Sequence, residues 1–153
     1  MNSQRLDPIF PQLIHNKILW VTLAVWAIAQ TMKVFLGVVR ERRFNFRWFI
    51  GTGGMPSSHA AGVTALATTC GLEFGFQSVN FALAAVFALV TMFDAQSVRR
   101  SAGQQAEVLN KMMDDMYWKG RIEGERLKEF IGHTPIQVLV GFIVGLLLAL
   151  ILY

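Results

Sequence analysis

Charge is scarce in this sequence, and long apolar runs take its place. Of its 153 residues, 10 are Asp or Glu and 14 are Lys or Arg, so only 16% are charged while 54% are hydrophobic. An ordinary soluble domain has about 25% charged residues. The mean hydropathy of +0.43 agrees with this difference. The composition therefore excludes an ordinary soluble domain and predicts a small all-α integral membrane protein.

Paired cysteines and clustered carboxylates are also missing. Cys70 is the single cysteine, which excludes an intrachain disulfide. Asp114 and Asp115 are adjacent, but neighbouring side chains on a helix point about 100° apart, and no third ligand has suitable spacing. We therefore predict no metal site and no cofactor.

Four apolar segments are long enough to be considered as membrane spans: residues 18–39, 60–76, 79–93 and 135–153. The first is the clearest, because its 22 residues cover a hydrocarbon core of about 30 Å. The second and third suit a protein-packed bundle better than full exposure to lipid. In the fourth, Gly141 and Gly145 form a small-xxx-small face for close helix packing, including a possible homo-oligomer. We predict one domain over residues 1–153, with a polar N-terminal segment at 1–17.

Basic residues are distributed unevenly between the two sides of such a bundle. If the four segments cross in turn, eleven Lys and Arg residues lie on the side of the loops at 40–56 and 94–134, against only Arg5 and Lys17 on the other side. The positive-inside rule then predicts that these loops lie in the cytoplasm and that both termini lie outside the cell membrane. Basic residues beside apolar spans indicate contacts with anionic headgroups, and we predict no nucleic-acid partner.

The loop at 94–134 is predicted to be helical in part. From residue 101 to 119, apolar side chains recur at i, i+3, i+4 and i+7; they are Leu109, Met112, Met113 and Met116. This pattern predicts a helix at the membrane interface or one that caps the bundle. Residues 121–131 are predicted to form a second short helix.

A glycine-rich stretch, Gly51-Thr-Gly-Gly-Met-Pro-Ser-Ser-His59, leads into the second apolar segment. A flexible loop that feeds a helix N-terminus favours an anion, because the free N–H groups and the positive end of the helix dipole lie there. His59 adds an imidazole able to protonate a leaving oxygen near neutral pH. The alternative is a Gly/Pro turn that enters a membrane helix, with Ser57 or Ser58 as its N-cap.

Further cations and a second histidine fall on the same predicted side. Lys33 and Arg40 are seven residues apart and share a helix face. Arg99 and Arg100 follow the third segment, and His133 precedes the fourth. Taken singly, Lys33 also fits a snorkelling lysine, and Arg40 a positive-inside anchor.

Together these residues resemble the type 2 phosphatidic acid phosphatase superfamily, and most closely its small divergent branch. The family has a Lys-x6-Arg-Pro motif, which Lys33-x6-Arg40 matches except that Glu41 replaces the proline. Pro56-Ser57-Ser58-His59 matches its Pro-Ser-Gly-His motif with Ser58 in place of glycine. The third motif, Ser-Arg-x5-His-x3-Asp, is split here between Arg99 or Arg100 and His133, and its closing Asp falls on Gln137.

The resemblance implies a role for each matching residue. His133 would attack phosphorus to give a phosphohistidine, and His59 would protonate the departing alkoxide. The phosphate oxygens would be bound by Lys33, Arg40, Ser57, Ser58 and one of Arg99 and Arg100. Asp94 is a candidate to orient the imidazole in place of the missing Asp, with a simple helix-end pair to Arg99 as the alternative.

The predicted function is hydrolysis of a phosphomonoester or diphosphate on a membrane lipid. Its alternative is a degenerate relative that binds anionic headgroups as a scaffold or regulator, which Glu41, Gln137 and the split third motif favour. Vanadate-dependent peroxidase chemistry, also present in the superfamily, would use the same oxyanion cradle, but the membrane setting disfavours it.

Overall fold

Helices account for all the regular structure in the part of the chain that the computed structural model describes, residues 9–42, 54–118 and 134–153. The first, α1, is short and spans Ile9–Ile14, and α2 spans Lys17–Glu41. It is followed by α3 at Ser58–Phe74, α4 at Val79–Trp118 and α5 at Pro135–Leu152. The prediction of an all-α protein is confirmed.

Polar capping residues set where three of these helices begin. The Asn16 side chain accepts a hydrogen bond from the Leu19 N–H at 3.0 Å, and the Ser57 hydroxyl accepts one from the Ala60 N–H at 3.3 Å. Thr134 caps α5 in the same way. Each cap satisfies an N–H group that has no partner inside the helix.

The central helix of the bundle is α3, which packs on α2, α4 and α5. It runs parallel to α5, because Ser57 contacts Gln137 near the start of both helices and Glu73 contacts Tyr153 near their ends. It runs antiparallel to α2, where Trp26 lies against Gly62. The starts of α3 and α5 and the end of α2 therefore lie at one end of the bundle.

The bundle has small side chains in its core and large apolar side chains on its surface, the reverse of the arrangement in a soluble protein. The core consists of small residues, among them Val25, Ala29, Ala61, Ala65 and Ala149. Large apolar residues point outward on all three outer helices; examples are Phe35, Phe87, Phe93, Leu139 and Ile151. An exposed apolar surface of this extent suits a surrounding of lipid chains rather than water.

Within the described residues, three helices are long and apolar enough to cross a membrane: Lys17–Arg40, Val79–Gln96 and Pro135–Leu152. The segment at 60–76, predicted as a fourth span, is not among them. It forms α3, which has 17 residues and carries buried Ser and Thr residues that lower its hydropathy. Its flanking helices shield these groups, and it still lies beside α5 along most of that helix.

Gly141 and Gly145 bring α5 against α3. A Cβ atom added at Gly141 would lie 2.5 Å from the Ser57 carbonyl oxygen, and one at Gly145 would lie 2.8 Å from the Ala61 Cα. The small-xxx-small face predicted from the sequence is therefore occupied within the chain. A homo-oligomer stays a prediction, and it would need a different surface.

The third predicted span does not end in a loop. Instead α4 continues without interruption to Trp118 over 40 residues, about 60 Å at 1.5 Å per residue. Good helix formers fill its second half, and Glu107 and Lys111 form an i,i+4 ion pair of 2.7 Å. The hydrogen bond from Lys111 lowers the pKa of Glu107. The helix predicted from residue 101 to 119 is therefore present as far as residue 118, but it continues the third span instead of following a loop. The second short helix, predicted at 121–131, lies outside the described residues.

The predicted apolar face of this extension lies outward. Leu109 and Met112 are exposed, whereas Asn110 is buried. The i, i+3, i+4 pattern identified the helix, but the side that packs inward is the one with Gly103 and Asn110.

At the end of the bundle away from Ser57, three helices meet. The Tyr153 hydroxyl donates a hydrogen bond to Glu73, and the Lys17 ammonium lies 3.8 Å from the centroid of the Tyr153 ring, a cation–π contact. The hydrogen bond to Glu73 raises the pKa of Tyr153. The start of α2 and the ends of α3 and α5 therefore lie at one end of the bundle, and the side of the membrane that this end faces stays a prediction.

Candidate functional site

The start of α3 is buried in the bundle. Ser57 is fully buried and Ser58 is 3% exposed. The Ser57 N–H donates a hydrogen bond of 3.1 Å to the Gln137 carbonyl oxygen, while its hydroxyl caps the helix. Of the two N-cap candidates from the sequence, Ser57 is the one that caps. A helix N-terminus held in this way presents partial positive charge at a place shielded from bulk water.

A second helix N-terminus lies beside the first. The Thr134 hydroxyl accepts a hydrogen bond from the Gln137 N–H at 3.4 Å, and the Gln137 Oε1 atom accepts one from the Thr134 N–H at 3.1 Å. This capping box fixes the first turn of α5. Because α3 and α5 are parallel, the positive ends of both helix dipoles lie at the same end of the bundle, where they favour a bound anion.

Lys33 adds a full positive charge near the same end. It lies on α2, is only 8% exposed, and its aliphatic stem packs on the glycine-rich stretch. A Cβ atom at Gly54 would lie 3.1 Å from the Lys33 Cγ, and Gly54 has a φ of +88°, a conformation that favours glycine. The stretch therefore needs glycine at this position so that the chain can turn beside the lysine.

His59 lies in the first turn of α3. The residue is partly exposed, while its Nδ1 atom is buried. One edge of the ring therefore faces the protein and the side chain still reaches the surface.

Gln30 is a buried polar residue to which the sequence assigned no role. It is 7% exposed and precedes Lys33 by three residues, so both lie on one side of α2. Gln30 lies between Trp26, which contacts Gly62, and Lys33, which contacts Gly54, and is therefore level with the start of α3. The signal in the sequence was an amide inside an apolar span, where polar side chains commonly mark function.

The remaining predicted residues are farther out or are not described. Arg40 is exposed in the last turn of α2, about 10 Å along the axis from Lys33. Asp94 is exposed on α4, next to buried Ala95. Arg99 and Arg100 belong to α4 by their backbone, while their side chains and all of His133 lie outside the described residues. The structure thus brings Lys33, Ser57, Ser58 and His59 to one end of the bundle.

The sequence matches the model of the divergent PAP2 family over residues 14–148. The chain belongs to the divergent PAP2 family. A relative in Bacillus subtilis strain 168, named uncharacterized membrane protein YuiD, is 42% identical over 152 residues, covering 92% of this chain and 96% of the relative. No solved structure matches.

Every candidate residue of this divergent PAP2 protein lies within the matched range, from Lys33 to Gln137. Gln137, the residue on which the closing Asp of the third motif was predicted to fall, completes the capping box of α5 with its side chain. An amide does this as well as a carboxylate, because the contact needs only an oxygen that accepts a hydrogen bond. The described residues contain no group of three or more His, Cys, Asp or Glu side chains able to hold a metal ion.

Proposed function

We propose that this protein is a membrane phosphatase that hydrolyses a phosphomonoester or diphosphate headgroup of a lipid. The observation that supports the proposal most is the meeting of two helix N-termini with Lys33 and His59 at one end of an apolar bundle. Membership of the divergent PAP2 family supports the same chemistry, because related families contain phosphatases. The substrate classes that fit are phosphatidic acid, phosphatidylglycerophosphate and isoprenyl diphosphates.

In the proposed mechanism, Lys33, Arg40 and one of Arg99 and Arg100 bind the non-bridging phosphate oxygens. The N-terminus of α3, with Ser57 and Ser58, completes the cradle. His133 then attacks phosphorus through a ring nitrogen, and the bond from phosphorus to the lipid oxygen breaks. His59 gives its proton to that oxygen, and water later cleaves the phosphohistidine to release phosphate. Asp94 remains a candidate to orient His133.

A lipid substrate is proposed because of where the site lies. The apolar spans end near the residues of the site, so a headgroup can reach it while its hydrocarbon chains remain in the bilayer. The proposed arrangement has α3 crossing beside the three apolar spans, with the site at the cytoplasmic face and both termini outside.

The second candidate function is binding of an anionic headgroup without turnover, in a scaffold or regulator. The capping role of Gln137 favours it, because an amide cannot stabilise a charged imidazole as a carboxylate does. The deciding measurement is release of inorganic phosphate by the purified protein in detergent from a panel of lipid phosphates. Turnover on any member of the panel supports the phosphatase, and binding without turnover on all of them supports the scaffold.

We expect turnover to be independent of divalent metal ions. The proposed site neutralises the phosphate with Lys and Arg side chains and has no carboxylate cluster to hold Mg²⁺. Activity should be unchanged in EDTA and should be inhibited by vanadate, which mimics the pentacoordinate phosphorus of the transition state. Loss of activity in EDTA that Mg²⁺ restores would contradict the mechanism.

The orientation of the protein in the membrane can be tested with two exposed positions, one in the turn before α4 and one on α4 itself. In a Cys70→Ala background, Gln77→Cys lies in the turn between α3 and α4, and Lys111→Cys lies on the far half of α4. An impermeant thiol reagent added to intact cells should label the first and should label the second only after lysis. The reverse pattern would place the site outside.

A further inference from the structure

One face of α3 is not covered by another described helix. On either side of it lie α2 and α4, and neither packs extensively on the other. The partly exposed residues of α3, apart from its last turn, are His59, Val63, Leu66 and Ala67. At about 100° per residue they form one stripe along the helix. We name Val63, Leu66 and Ala67 the α3 groove. His59 lies at the end of the groove nearest the N-terminus of α3, which we call its upper end.

Trp26 forms a wall of this groove. Its Cβ and Cδ1 atoms would lie 3.5 Å from a Cβ added at Gly62, so the indole packs on α3 about one turn below His59. The Trp26 side chain is nevertheless 46% exposed. Trp26 therefore contacts α3 with part of its surface and keeps the rest exposed.

The two ends of the stripe differ in chemistry. At the upper end are His59, the N-terminus of α3 and buried Lys33, a positively charged surrounding. Below it the floor is apolar for about 10 Å, from His59 to Leu66. The helices on either side of the groove, α2 and α4, also carry exposed apolar side chains, among them Phe35 and Phe87. This order of charge and apolar surface along the stripe matches an anionic amphiphile whose headgroup lies at the His59 end.

We propose that the α3 groove binds one hydrocarbon chain of an anionic membrane lipid, which enters sideways from the bilayer between α2 and α4. The chain lies along Val63, Leu66 and Ala67 against Trp26, and this contact places the phosphate beside His59. The proposed function is needed only for the statement that this phosphate is hydrolysed, and on that point the inference rests on it. Binding of the hydrocarbon chain does not require turnover. It makes the substrate a lipid with a long chain rather than a soluble phosphate ester.

The proposal can be tested by filling the groove. Each buried methylene group contributes about fourfold in affinity, so Leu66→Trp should lower kcat/KM for a long-chain phosphatidic acid by at least about tenfold. It should change kcat/KM for a short-chain soluble analogue with the same headgroup by less than about twofold. The matched control is Leu147→Trp, on a lipid-facing position of α5 that is 53% exposed, which should leave both values unchanged. An equal loss on both substrates, or no loss on either, would overturn the proposal.

A second measurement separates the groove from the phosphatase. The wild-type protein in lipid nanodiscs is irradiated with a phosphatidic acid that carries a photoreactive diazirine in its chain, and the cross-linked peptides are identified. We expect cross-links within residues 62–74 and their loss in Leu66→Trp. Such cross-links without turnover on any lipid phosphate would support the groove and refute hydrolysis. Cross-links spread evenly over the outer faces of α2, α4 and α5 would refute the groove even if turnover occurs.

Discussion

We expect His133→Ala to abolish phosphate release from every lipid phosphate. His133 is proposed to form the bond to phosphorus, and without it no phosphohistidine can form, whatever the leaving group. The loss should exceed the factor of about 10²–10⁴ that a general acid contributes. The measurement is phosphate release across the substrate panel, with lipid binding followed in parallel to show that the variant is folded. Retention of wild-type turnover would refute the proposed nucleophile.

His59→Ala is the informative comparison, because its effect should depend on the leaving group. An alkoxide needs a proton as it departs, so turnover of lipid phosphates should fall by about 10²–10⁴-fold. An activated aryl phosphate leaves without that proton and should be hydrolysed almost as by the wild type. With a neutral nucleophile and a protonated acid, the pH dependence of the wild type should be bell-shaped. Equal losses by both histidine variants on all leaving groups would exclude separate roles.

The membrane class and most helices could be predicted from apolar runs, because a helix is the only open structure that satisfies its own backbone in lipid. The length of α4 could not be predicted in this way. Its apolar run ends at Phe93, yet the chain continues as a helix to Trp118. Hydropathy indicates where the hydrocarbon of the bilayer ends, but not where a helix ends. The end of a helix depends on the helix propensity of its residues and on side-chain ion pairs such as Glu107 with Lys111.

The candidate site was predictable in its residue types and less so in its geometry. The glycine-rich stretch indicated a helix N-terminus, and Ser57 caps one. That the first turn of α5 lies against it, through Ser57 and Gln137, depends on a contact across 80 residues that no local pattern reports. The placement of Gln30 level with the start of α3 likewise follows from the antiparallel packing of α2 on α3, which no local pattern reports.

The glycines of α5 show the limit most clearly. The spacing of Gly141 and Gly145 predicts close helix packing but does not state which helix is approached. The structure gives α3 as that neighbour. The same contact holds the start of α3, since Ser57, which Gly141 touches, is the N-cap of α3 and its N–H is bonded to the Gln137 carbonyl oxygen.

Gly145→Leu should therefore destabilise both the bundle and the site. Even the first added carbon would lie 2.8 Å from the Ala61 Cα, and because this neighbour is backbone, the two helices must separate. Overpacking of a core typically lowers the free energy of unfolding by about 1–3 kcal/mol. Because the neighbouring atoms here are backbone, which cannot rotate away as a side chain can, we expect a loss at the upper end of this range or beyond it. We expect a lower Tm in detergent and loss of phosphate release in the fraction that remains folded, because separation breaks the contact between Ser57 and Gln137.

Gly145→Ala should show the same changes to a smaller extent. The matched control is Ala82→Leu, which adds a similar volume at an exposed position of α4 and should leave Tm and activity unchanged. If Gly145→Leu melts and turns over like the wild type, the packing of α5 on α3 does not set the site.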